Sequence, residues 1–185
     1  LGAENIELFF QKDLLHTPAD IFTLKDHRAA VQQALFERRE EQARQREAAK
    51  GATRKKVLTA EERTYEGLDK LFAAIDARRE PELDRFIFAL GIRHIGEGNA
   101  KLLARHYGTV EAFRAAMIAA GAGDDSEAYR DLNGIEGVGT VVANALVEFF
   151  KEPHSVKAVD DLLGEITVQP AEKAKTDSPI AGKIV

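Results

Sequence analysis

The sequence has no cysteine. That excludes a disulfide framework, a cysteine-ligated zinc site and a thiol nucleophile, and it suits a cytoplasmic protein. No run approaches the roughly 18 apolar residues a membrane span needs, and no basic-then-apolar leader is present. An initiating methionine is also missing, which suggests a fragment of something longer. Nor is there an excess of cations: 26 Lys and Arg against 31 Asp and Glu give a net charge of −5 over 185 residues. What remains is ordinary for a folded protein, 44% hydrophobic and 31% charged. The length allows one domain with a real core, or two small ones.

Net acidity argues at first against a nucleic-acid partner, because phosphate binding is usually carried by clustered Lys and Arg. The total hides an uneven distribution. The balance is −3 over residues 1–26, +5 over 27–56, −2 over 57–80, +1 over 81–120 and −6 over 121–185.

The strongest regularity is a helical apolar stripe at i, i+3, i+4, i+7 that recurs four times. The second copy is Leu68, Leu71, Phe72 and Ile75; the third is Ala100, Leu103, Ala104 and Tyr107; the fourth is Ala143, Leu146, Val147 and Phe150. Ile6, Phe9 and Phe10 begin a first copy that ends at Asp13. Each stripe spans about two helical turns, too short to be stable alone, so the copies must pack on one another. Four residues before the stripe stands a glycine in three copies: Gly2, Gly96 and Gly139. Leu83, Phe86, Ile87 and Leu90 form another stripe upstream of the third copy, with Gly91 as a helix stop. The unit is therefore helix, hairpin, helix, and the predicted fold is all-α.

Glycine lacks a side chain, so a ligand's backbone can approach the N–H groups that the turn exposes. Those groups lie at the N-terminus of the next helix, where unpaired donors and the helix dipole favour an anion. A nucleic-acid phosphate fits best, since such contacts fix position on the backbone without reading sequence and require few cations. An acidic protein can bind DNA this way. The same Gly-x-Gly also serves as a plain interhelical turn; its recurrence in this chain is what favours the binding role.

Gly91-Ile92-Arg93-His94-Ile95-Gly96-Glu97, with Ala100, Leu103-Ala104 and Tyr107-Gly108, resembles the third helix-hairpin-helix motif of bacterial NAD-dependent DNA ligases. Thr17-Pro18-Ala19-Asp20-Ile21-Phe22, Leu71-Phe72-Ala73-Ala74-Ile75 and residues 83–90 are similar to segments of the same ligase domain, in the same order. Residues 178–185 resemble the linker and first strand that open that family's C-terminal BRCT domain. The resemblance implies a region that grips duplex DNA around a nick, in an enzyme that seals a 3′-hydroxyl to a 5′-phosphate in replication and repair. It implies NAD, Mg²⁺ and a structural Zn²⁺ in other domains of the parent, and none bound here. The nucleotidyl-transferase block Lys-x-Asp-Gly is absent, so no catalytic residue is assigned and the chain alone is expected to be inactive. The expected partners are nicked double-stranded DNA and the ligase's other domains, with no membrane and a monomeric state.

Candidate DNA contacts are Gly2, Arg93, His94, Ile95, Gly96, Glu97, Gly98, Asn99, Lys101, Gly137, Val138, Gly139 and Thr140. The second copy departs from the pattern, with Thr64 at its glycine position, which puts a phosphate contact there in doubt. Residues 27–56 look like an insertion: a short stripe of Val31, Ala34, Leu35 and Arg38, then a helix polar all round over 40–50. A basic arm on duplex and a plain solvated helix are both open for it. Thr17 is read as an N-cap with Pro18 at the first helical position. Expected boundaries are a helix-hairpin-helix domain over 1–163, a linker over 164–179 and a truncated BRCT start over 180–185. The alternative function is a non-catalytic helical protein-interaction module of a DNA repair protein.

Overall fold

The computed structural model describes residues 2–50, 59 and 66–171. The chain is all-α, with no regular strand among the described residues. In order come α1 (Ala3–Gln11), a 3₁₀ helix (Pro18–His27), α2 (Arg28–Lys50), α3 (Glu66–Asp76), α4 (Leu83–Ala89), α5 (Glu97–Tyr107), α6 (Val110–Ala120), α7 (Glu127–Gly134), α8 (Thr140–Lys151) and α9 (Pro153–Glu165). Where one domain over 1–163 is predicted, the residues gather into two compact units, 1–78 and 79–185.

In the first unit the buried cluster is Phe9, Leu15, Leu24, Val31, Leu35, Leu68 and Phe72, with Leu71 and Ile75 packed against it. The second stripe thus points inward as its spacing requires. The first does not: Phe9 is fully buried, but Ile6 is 39% and Phe10 61% exposed. α1 packs on α2 through one narrow strip, and Leu8 and Leu14 supply the remaining apolar contact. Thr17 precedes the 3₁₀ helix with Pro18 as its first residue, and the Asp20 carboxylate accepts from the Thr17 and His16 amides at 2.7 and 2.8 Å. These bonds, with the Thr17 side chain and the His16 charge, outweigh burial, which raises it, and hold Asp20 below the usual carboxylate range. Val31, Ala34 and Leu35 are buried on α2, and of the polar residues that follow Glu40 is buried too, at 7% exposure. Arg28 donates to Asp69 at 2.6 Å, joining the start of α2 to α3. The second motif's Thr64 and Tyr65, and residues 51–56 of the basic segment, lie outside the described residues.

The second unit contains two helix-hairpin-helix pairs, α4 with α5 and α7 with α8; α6 packs on α5, α7 and α8, and α9 packs on α8. Its centre is made of Leu83, Ile87, Leu103, Phe113, Met117, Leu132, Leu146 and Val159, none more than 2% exposed. Phe113 meets Phe150 edge to face at 5.7 Å, a geometry that adds about 0.5–1.5 kcal/mol beyond area burial. Gly91 and Gly108 end α4 and α5 at φ 66° and 75°, the left-handed conformation that stops a helix cheaply only at glycine. Thr109 then caps α6, accepting from the Ala112 amide at 3.2 Å.

Part of the predicted linker belongs to this unit. α9 continues to Glu165, Ile166 is buried, and the extended residues after it run parallel to the entry into α4. Thr167 N–H donates to Arg79 O at 2.8 Å, Gln169 N–H to Pro81 O at 2.8 Å, and Leu83 N–H to Gln169 O at 3.1 Å. The physical reason is that backbone groups make these bonds, so a polar composition does not prevent them. The rest of the linker and the predicted BRCT start over 180–185 lie outside the described residues.

Candidate nucleic-acid interface

Adding 43 to the residue number carries Gly96 to Gly139, and the local geometry carries over with it. Gly96 precedes α5 with φ −89° and ψ 178°; Gly139 precedes α8 with φ −86° and ψ 171°. In each hairpin the carbonyl of this glycine accepts the amide four residues on, Ala100 N–H and Ala143 N–H, both at 3.0 Å. The plug residues Ile95 and Val138 are 7% and 3% exposed, and each donates its amide back across the turn, to Ile92 O at 3.1 Å and Ile135 O at 2.9 Å. Burial of the plug turns the flanking backbone outward. Gly2 repeats the arrangement before α1, with φ −79°, ψ 159° and Ile6 N–H on its carbonyl at 3.2 Å. Gly2 belongs to the first unit.

The glycines differ in why they are glycine. At Gly2, Gly96 and Gly139 the backbone is extended, as any residue allows, and an added Cβ would meet nothing within 4 Å. Folding does not demand glycine there. Gly137 is held at φ 86°, and a Cβ on it would stand 2.7 Å from Leu102 Cδ1, so folding does demand it. The matching residue of the other hairpin is His94, at φ 67°, one of two described non-glycine residues at positive φ. Asn99 steadies this turn, its amide donating to His94 O at 3.0 Å.

A groove of the second unit runs between the third hairpin and α8. Arg93 and His94 line one side, Val141, Asn144 and Glu148 of α8 the other. The amides of Glu97, Gly98 and of Thr140, Val141 belong to first helical turns, which have no acceptor within their own helix. Arg93 and Lys101 form no salt bridge among the described residues, whereas Arg79 and Arg114 are tied to Glu165 and Asp160. These two cations stand at the third hairpin, whereas the turn of the fourth, 135–141, carries Glu136 as its charged residue and no cation. The structure thus brings Arg93, His94 and the first turn of α8 to one groove. His94 is named from the sequence, but its strain shows only in the backbone dihedrals; missed was Asn144, which the 43-residue register could have found at the position equivalent to Lys101.

Among the described residues no group of three or more His, Asp or Glu could hold a metal ion. No described helix is long and apolar enough to cross a membrane.

Paired helices joined by a plugged glycine turn, twice over, define a helix-hairpin-helix protein, and a family model described as helix-hairpin-helix motif matches residues 85–122. The whole chain aligns with proteins named DNA ligase: 54% identical in Mesorhizobium japonicum, 50% in Afipia carboxidovorans and 49% in Nitrobacter winogradskyi, covering 100% of this chain in each case. The chain belongs to the DNA ligase family, and it spans about a quarter of the length of these curated relatives, 25%, 24% and 24%.

Proposed function

We propose that this chain is the duplex-binding part of an NAD-dependent DNA ligase, holding DNA around a nick while other domains of the parent carry the chemistry. The observation that carries it is the matched pair Gly96 and Gly139: two helix N-termini with closely matching caps and open space where a side chain would stand, beside a groove lined by Arg93 and His94 of the third hairpin and Val141 and Asn144 of α8. Phosphate oxygens would take the amides of residues 96–99 and 139–141, with Gly2 offering the same in the first unit. Arg93 and Lys101 supply the charge. Of Glu97 the contributing group is the amide, since its carboxylate repels phosphate. Ile95 and Val138 act as buried plugs, while Gly98, Asn99, Gly137 and Thr140 shape or line the turns. Such contacts position the backbone and ignore sequence, which suits an enzyme that meets nicks anywhere.

On this reading the parent joins a 3′-hydroxyl to a 5′-phosphate through adenylated intermediates in the cytoplasm, as a monomer. NAD, Mg²⁺ and Zn²⁺ belong to parts of the parent beyond this chain, which is inactive alone. The test is a titration of nicked and intact duplex at two salt concentrations, with Gly96→Ala and Gly139→Ala combined. Binding is expected to weaken at least about tenfold, the loss of one charge-assisted hydrogen bond, with far-UV circular dichroism unchanged. Undiminished affinity in the double variant would favour a protein-interaction module instead.

A further inference from the structure

We infer that Asn144 is a second, uncharged DNA-contacting residue, and that buried Tyr129 positions it; this rests on the duplex-binding reading above. Asn144 sits on the second turn of α8, at the position that Lys101 occupies on α5, so the two hairpins present it and Lys101 in the same register. It is exposed and lines the groove that Arg93 and His94 share.

What distinguishes Asn144 from an ordinary surface amide is its partner. The Tyr129 hydroxyl donates to Asn144 Oδ1 at 2.6 Å, and Tyr129 itself is buried on α7 at 8% exposure. A hydroxyl has one proton to give. Spent on Oδ1, it fixes which end of the carboxamide is bound and leaves the two amide N–H donors for a partner outside the protein. The side chain is thereby pre-oriented, and less rotamer entropy is lost when a ligand binds. Two donors facing a groove beside Arg93 and His94 match a phosphodiester oxygen. Thr140, one turn earlier on the same face, is also tied, its hydroxyl donating to Asn133 Oδ1 at 3.1 Å. The fourth hairpin, which has no cation, would so grip its strand with neutral donors, and the third with charge.

This division has a measurable signature. A neutral donor releases no counterion, whereas each lysine on a phosphate adds about one to the salt slope of binding. In the full 185-residue chain, titrated with nicked duplex at several salt concentrations, Asn144→Ala is expected to weaken binding about five- to tenfold with its salt slope unchanged. Lys101→Ala is expected to weaken binding and lower the slope by about one. Asn144→Asp, which keeps the oxygen for Tyr129 but replaces donors with charge, should weaken binding at least as much as alanine and covers the case of an unstable alanine variant. Tyr129→Phe should weaken binding two- to threefold alone and add nothing in an Asn144→Ala background, a coupling that a purely structural tyrosine would not show. Asn144 variants within twofold of the parent chain, while Lys101→Ala and the glycine pair lose affinity, would overturn this inference and leave the wider reading intact. Loss of no affinity in any of them would sink both.

Discussion

Replacing Gly137 and Gly139 by alanine, one at a time, separates a glycine the fold requires from one it does not. Gly137→Ala forces an L-residue to φ 86°, at a cost of about 1–2 kcal/mol. Its Cβ would also lie 2.7 Å from Leu102 Cδ1. That atom is a terminal methyl on a half-buried side chain and can give way, so crowding adds about 1 kcal/mol, the low end of the overpacking range. Against these stands a gain of about 0.4–1 kcal/mol from the stiffer unfolded chain. The net loss is about 1–2.5 kcal/mol, and at about 4–8 °C per kcal/mol for a unit of this size the midpoint falls on the order of 10 °C. Gly139→Ala keeps an extended backbone and meets nothing within 4 Å. The poorer helix cap and the unfolded-state gain are of similar size, so its midpoint should move by no more than about 2–4 °C. Thermal unfolding followed by circular dichroism at 222 nm, with duplex binding measured on the same samples, gives both numbers. Equal destabilisation by the two substitutions would refute the assignment of Gly139 to a ligand rather than to packing.

The other hairpin offers a converse test. At φ 67° His94 is strained, so His94→Gly should melt a few degrees above His94→Ala, about 0.5–1 kcal/mol more stable; the reverse order would remove the strain argument. In the first unit, Asp20 is held below its usual range, and a depressed carboxylate stabilises above its unfolded pKa of about 3.9 and ceases to do so as pH falls through the folded value. Asp20→Asn is therefore expected to lower the melting midpoint at pH 7, and the gap to the parent chain should close at acid pH. A gap independent of pH would show that the carboxylate charge is not what holds the 3₁₀ cap.

How far the sequence led depended on whether a feature was local. Stripes such as Ala143, Leu146, Val147 and Phe150 are read directly from helical spacing, and all four are 5% exposed or less. The helix start at Thr17 and the stop at Gly91 follow from the same short-range chemistry. Phe10 failed because spacing gives a face but not whether anything covers it. The boundary at Arg78 and Arg79 was hidden for a related reason: no glycine or proline run marks it, and only the separation of contacts divides the units. At the candidate interface the glycine positions were legible, but their different causes were not, since the positive φ of Gly137 shows only in the folded backbone and its crowding comes from Leu102, 35 residues away in the chain. The Tyr129 to Asn144 link is likewise a product of α7 lying beside α8.

The extended residues after α9 have a mechanical consequence. They run parallel to residues 79–83, so the start of one paired segment and the end of the other lie at opposite ends of the pair. Tension applied between Arg79 and Ala171 therefore loads the three hydrogen bonds of Thr167, Gln169 and Leu83 together, in shear, instead of peeling them apart one by one. An antiparallel pairing of the same three bonds would unzip. The entry into α4 and the segment after α9 are thus fastened in the arrangement that best resists force along the chain.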